Sequence, residues 1–423
     1  MDDLSEKPRI RALEAFPTQQ NGQQMFVLRD PFHYSDAILT LTPGAALIVR
    51  LLDGTNSILD IQTILTRSGG QIFPSAKIFE AIQVLDENYF LDNERFVRRK
   101  QEIEEDFAHR DVRPSAMAGR SYPADPAEVA AVLDQLFSEP DAAEFSPADM
   151  DEVVGVISPH IDFARGGLAY VPAYRALAKS DAETFVILGI SHSGGATPLI
   201  PTRKDFETPL GRAETDKDLL DRIEKKLAGN GEWRNLYAGE FAHAFEHSIE
   251  FQILFLQYLM SSNGRSRPFG VLPVLCAFSH EEVQAESLRV AGQPGPIRSF
   301  LNALTAAIAE AGRRVAYIAG VDFAHVGAQF GDDFQVQEKE LAFLKDRDEQ
   351  MMALLAGAGP DEFHRFIADE SNGRRVCGYP ALYSFLSVLP PAAVTAGCVL
   401  KYGQWPDPNA TVTFGSLAFR SKE

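Results

Sequence analysis

Three of the nine histidines stand just past short, continuous apolar runs. His160 follows the run Val153 to Ile157 in Ser158-Pro159-His160, and His192 follows Phe185 to Ile190 in Ser191-His192-Ser193. His325 follows Val315 to Ala319 in Asp322-Phe323-Ala324-His325. Imidazole is the commonest metal ligand and titrates near neutral pH, so such a trio predicts a metal or acid/base site, although any one of the three alone reads as a structural histidine. Unalternated runs of this length are what strands covered on both faces of a parallel sheet look like. In α/β sheets ligands bind outside the carboxyl ends of the strands, where side chains remote in sequence converge. The glycines beside the first two, Gly166-Gly167 and Gly194-Gly195, permit close backbone approach but match no phosphate-binding fingerprint.

A second constellation is His243-Ala244-Phe245-Glu246-His247-Ser248-Ile249-Glu250. The string H-x-x-E-H is that of inverted zinc peptidases, with His243 and His247 on one helical face and Glu246 as base. Against it, Ile249, Ile253, Leu256 and Leu259 make the following helix a buried scaffold element, where capping or hydrogen bonding would equally account for Glu246 and His247. Among the thiols, Cys276 and Cys398 lie in apolar strand patterns and read as small buried hydrophobes. Cys377 lies in Arg374-Arg375-Val376-Cys377-Gly378-Tyr379-Pro380, where neighbouring arginines would favour the thiolate; a loop thiol and a metal ligand are equal readings of it.

The elements that must position these residues follow from composition and periodicity. The chain has 423 residues, 45% hydrophobic and 23% charged, enough for one large core or two domains. With 40 Lys+Arg against 59 Asp+Glu the net charge is −19, which argues against nucleic acid as a partner. No run approaches the ~18 apolar residues of a membrane span. Three cysteines give no disulfide framework, and the start Met-Asp-Asp-Leu-Ser-Glu lacks the features of a signal peptide, so the expected address is the cytoplasm. Besides the three runs above, Val271 to Leu275, Gly397 to Tyr402 and Ala410 to Phe419 read as strands. Asp125 caps a helix opening at Pro126, with Glu128 placed to close a capping box, and Ser138 to Met150 reads as a loop.

Residues 1–100 read as a separate small module of three helices followed by a strand near Tyr89-Phe90-Leu91, with Pro43 at one helix start and Ser57 and Ser75 as caps. This order suggests a winged helix. The mixed-charge stretch 97–115, or 101–115 once the module is closed at residue 100, reads as a linker, and 116–423 as the α/β domain with a mostly parallel central sheet.

From about Ala118 onward the chain resembles the MEMO family, the B component of the AmmeMemoRadiSam set. The likeness rests on Gly119-Arg120-Ser121-Tyr122, Ser158-Pro159-His160, Leu188-Gly189-Ile190-Ser191-His192, Glu246-His247-Ser248-Ile249-Glu250, Asp322-Phe323-Ala324-His325 and Val376-Cys377-Gly378. It implies a fold like that of class III extradiol dioxygenases and a pocket of two histidines and a cysteine, carried here by His160, His192 and Cys377 as metal ligands. It further implies pocket roles for Asp322, His325, Glu246 and His247, and likens the first hundred residues to PqqD-type modules that present peptides to radical enzymes. Imidazole and thiolate donors would take iron or copper, with zinc as a third candidate, rather than magnesium or calcium. The expected function is redox or oxygenase chemistry on a small or peptidyl substrate with a radical SAM enzyme as partner, His325 acting as acid/base and oriented by Asp322. The rival is a non-catalytic scaffold or metal carrier; the zinc peptidase is the third reading.

Overall fold

Asn21 and Gly22 both take positive φ, 52° and 76°, and close the hairpin that opens the chain. The computed structural model describes residues 6–139, 152–262, 268–289, 294–357, 359–390 and 395–421, so the loop read from Ser138 to Met150 falls, from residue 140, outside the described residues. The chain divides after His109 into two compact units.

In the first unit, β1 (Glu14–Gln20), β2 (Gln23–Arg29) and β3 (Ile38–Leu41) form an antiparallel sheet that precedes the helices Pro43–Leu51, Ile58–Gly69 and Ser75–Glu87. The strand expected after the third helix is a single bridge, Ile10 to Leu91. Ser57 caps its helix in a reciprocal capping box with Asp60, whereas Ser75 is the first helical residue and Pro74 the cap. The charged stretch read as a linker is largely helix, Glu94–Ala108, capped by Asn93. Its apolar face is weak because it is mostly exposed; Glu, Arg, Lys and Gln are strong helix formers, and Gln101 bonds Glu105 one turn on at 2.7 Å.

In the second unit β4 (Val112–Arg113), β5 (Val153–Ser158), β6 (Thr184–Ile190), β7 (Leu199–Pro201), β8 (Asp205–Thr208), β9 (Gly211–Thr215), β10 (Gly270–Cys276), β11 (Val315–Gly320), β12 (His325–Val326), β13 (Thr395–Trp405) and β14 (Thr411–Ser421) build one sheet. Its order is β12-β14-β5-β11-β6-β10-β9-β8-β4, with β13 on β14 and β7 on β10. The centre, β5-β11-β6-β10-β9, is parallel. Alternate residues of these strands feed two cores. Val186, Leu188 and Leu272 pack with Leu219, Phe300 and Leu382 on one face, and Phe185, Ile187 and Val271 with Tyr174, Ile253 and Phe255 on the other. The mixed α/β architecture with a mostly parallel central sheet is the one expected. Cys276 is buried as expected, but Cys398 lies exposed on β13, which has a neighbour on one side only. Among the described residues no helix is long and apolar enough to cross a membrane.

Candidate metal centre

Strands β5, β11 and β6 are neighbours, and their carboxyl ends set the site. His160 lies two residues past β5 and His192 two past β6, while Gly320 ends β11. Nδ1 of His160 donates to the Gly320 carbonyl at 2.9 Å, which turns Nε2 away from the strand end. The start of the helix Ser248–Ser262 presses on the same strand ends. A Cβ at Gly320 would stand 2.6 Å from the Ser248 carbonyl, and one at Gly189 2.6 Å from Ser248 Oγ, so only glycines allow this approach. It brings in His247, the residue before that helix. The ring nitrogens of His160, His192 and His247 lie within 4.8 Å of one another, a group that can hold a metal ion.

Glu246 serves two of the three. Its buried carboxylate accepts from the backbone N–H of His192 at 3.0 Å, of His247 at 2.8 Å and of Ser248 at 3.0 Å. Nδ1 of His192 lies 3.0 Å from Oε2, and Nδ1 of His247 3.2 Å from Oε1. Burial would push the Glu246 carboxyl up, but His192 and these donors hold it well below the usual carboxylate range. Burial pushes His247 down to about 3, against the pull of Glu246, so that it is a neutral imidazole with a lone pair to give.

On the other side, Asp322 accepts at Oδ1 from the backbone N–H of His160 at 3.0 Å and of Ile161 at 3.1 Å. It thus fixes the turn of His160. His325 instead meets the Phe323 carbonyl through Nδ1 at 3.2 Å, and among the described residues no hydrogen bond joins it to Asp322, contrary to the orienting role expected. Burial lowers the affinity of His160 for a proton, but Asp322 and Cys377 raise its pKa to about 9. Cys377 places Sγ 3.6 Å from Nε2 of His160. Burial would raise this thiol; the neighbouring His325 and His160 hold it well below its ordinary value. His325 is raised in turn, burial being outweighed by Cys377.

The arginines expected to activate this thiol are engaged elsewhere. Buried Arg374 pairs with Asp348 and, at 2.8 Å, with Glu370; Arg375 pairs with Asp332 at 2.7 Å. Their work is to hold the turn, in which Ser371, Asn372 and Arg375 take positive φ and the Arg374 carbonyl accepts from the His325 backbone at 2.8 Å.

His243 stands apart from the centre. It closes a short 3-10 turn, Glu240–His243, so it shares no helical face with His247. Its Nε2 donates to the Ile200 carbonyl at 2.8 Å, and burial pushes its pKa down to about 4. The two-histidine helix of a zinc peptidase is therefore not formed. Glu250 is equally remote in role: it is buried between Arg113, Tyr122 and the backbone N–H groups of Ala116 and Met117. Of the residues picked from sequence, the structure gathers His160, His192, His247, Glu246, Asp322, His325 and Cys377 at one end of the sheet. His247 joins His160 and His192 in an imidazole trio, and Cys377, the third ligand that the resemblance implies, lies against it with Sγ 3.6 Å from Nε2 of His160. The place of His247 depends on the glycine-permitted approach of the helix, which no local pattern records.

Three imidazoles with outward nitrogens held by a carbonyl or a carboxylate, and the thiol of Cys377 beside the inward nitrogen of His160, fit a transition metal. Comparison with known proteins finds one family along most of the chain. The model of the Memo-like protein family matches residues 113–412. A MEMO1 family protein of Aquifex aeolicus is 27% identical over 415 residues, covering 98% of this chain and 100% of its own length, through both units. One from Methanosarcina mazei is 26% identical over 297 residues, 70% of this chain and 93% of that protein. One from Thermococcus kodakarensis is 32% identical over 222 residues, 52% of this chain and 67% of that protein.

Proposed function

This chain belongs to the Memo family, and on that premise we propose that it is a metal-binding protein whose His160–His192–His247 pocket takes iron or copper for redox or oxygen chemistry on a small or peptidyl substrate. One observation carries the reading. Three imidazoles from separate segments bring their ring nitrogens within 4.8 Å, and each has its Nδ1 beside Gly320 or Glu246. Such outer partners fix the tautomer and raise ligand basicity. Imidazole donors suit iron, copper or zinc, and the soft thiol of Cys377 beside them leans away from magnesium and calcium. Iron or copper, when bound, supplies one-electron or oxygen chemistry.

The chain's own residues supply the rest. Glu246 and the Gly320 carbonyl orient the rings, and Asp322 holds the main chain of His160 in register with them. His325, with Nδ1 engaged by Phe323, takes or gives a proton at Nε2 beside Cys377. The first unit serves, on the family likeness, to receive a radical SAM enzyme or its peptide.

Turnover tests the proposal. Oxygen consumption or product formation with candidate substrates should disappear in His160→Ala and fall by a factor of about 100 or more in His325→Ala. Partner capture that survives both changes, in a protein that shows no turnover, would make it a scaffold or metal carrier instead.

A further inference from the structure

A second cavity, of about 390 Å³, opens in the large unit among residues that take no part in the metal centre. Leu136, Phe163 and Phe414 form its apolar walls, and Arg165, Lys401 and Glu139 its charged groups. Its size is at the lower end of the ~300–1,000 Å³ of small-molecule sites, and its mixture of apolar wall and few charges is theirs too. The walls close directly on glycines. A Cβ at Gly403 would stand 2.3 Å from Cε2 of Phe414, and one at Gly167 3.0 Å from Cδ2 of Leu136, so larger residues there would drive the walls into the cavity.

The charges indicate what it holds. Among the described residues two cations against one carboxylate leave it positive, in a chain of net charge −19. Several other surface cations of this unit are matched: Arg222 and Lys226 share Glu310, and Arg203 pairs with Asp221. Among the described residues Arg165 meets only the ring of Trp405, 5.7 Å away, and Lys401 has no ion pair. A guanidinium and an ammonium together bind a carboxylate strongly once an apolar wall excludes water from one side.

We propose that this cavity binds an organic monoanion, its apolar body against Phe163, Phe414 and Leu136 and its anionic head between Arg165 and Lys401. Trp405, one of only two tryptophans, lies beside Arg165 while the other, Trp233, is buried in the core, so a ligand-dependent change in emission that Trp405→Phe abolishes reports on Arg165. The full-length protein is titrated with sodium octanoate, inorganic phosphate and 1-octanol, by fluorescence and calorimetry. Octanoate should saturate at one per chain, with phosphate and octanol at least tenfold weaker. Arg165→Gln with Lys401→Gln should weaken octanoate at least tenfold while metal content stays that of the unaltered protein. Phosphate binding as tight as octanoate would reduce the site to a bare anion patch and overturn the proposal. So would octanoate that fails to saturate, or that binds the double variant equally well. Should the double variant not fold, the ranking of the three probes on the unaltered protein decides alone.

Discussion

The eight residues His243 to Glu250 hold two buried carboxylates and two histidines that do opposite things. Glu250 and His243 face the body of the fold. Glu250 is matched by a buried guanidinium, a phenol and two backbone N–H groups, and His243 donates to a carbonyl. Glu246 and His247 face the strand ends, where the carboxylate spends its lone pairs orienting imidazoles that share one centre with His160. Glu246, Glu250 and His243 are buried and His247 is half-buried. What separates architecture from site is not that every atom is satisfied, since Nδ1 of His243 is buried without a partner among the described residues, but whether the open nitrogens of several imidazoles converge on a shared centre.

The comparison breaks most visibly in stability. Arg113→Met leaves Glu250 buried without its cation, and should cost about 3–5 kcal/mol in urea unfolding while the folded fraction keeps its metal. A loss of metal at unchanged stability would reverse the roles assigned. Glu246→Gln should act the other way, lowering metal affinity by about 10–100-fold, or about 1.4–2.7 kcal/mol, with a smaller effect on unfolding. Equal metal affinity would remove Glu246 from the site.

Next in size is a pH effect in the structural half. His243 has a folded pKa of about 4, depressed by burial from 6.5. Below pH 6.5 the unfolded chain takes up a proton that the folded chain refuses until about pH 4, so stability falls as pH drops through this window and is fully present above it. Between pH 7 and 5 the loss should be about 2 kcal/mol. His243→Gln, which keeps a donor for the Ile200 carbonyl, should remove that part of the slope in urea titrations at the two pH values. An unchanged slope would show that His243 titrates normally.

Much of this was legible in the sequence, for physical reasons that differ from place to place. Strands β5, β6, β10 and β11 are buried on both faces and so read as unbroken apolar runs. Strands β4, β7, β8 and β9 are two to five residues long, and β4, β8 and β9 carry polar residues such as Arg113 and Asp205, which tertiary partners satisfy. The Asn21-Gly22 hairpin carried a turn signal that the neighbouring helical patterns outweighed. Helix Glu94–Ala108 was missed because an exposed helix needs no broad apolar stripe. At the site, strand-end position found His160, His192 and His325. It could not find the partners of Arg374, since Asp348 lies 26 residues away and only folding pairs them.

The central claim, that His160, His192 and His247 form one metal centre while His243 belongs to the scaffold, is tested most directly by metal stoichiometry. The protein is purified anaerobically under reducing conditions, because the half-buried thiolate of Cys377 in the pocket can oxidise in air. Metal is then measured per folded chain in the unaltered protein and in each single histidine-to-alanine variant. The account predicts about one ion per chain in the unaltered protein and in His243→Ala, and close to none in His160→Ala, His192→Ala and His247→Ala. Loss of metal in His243→Ala with retention in His247→Ala, or retention in all of the variants, would contradict it.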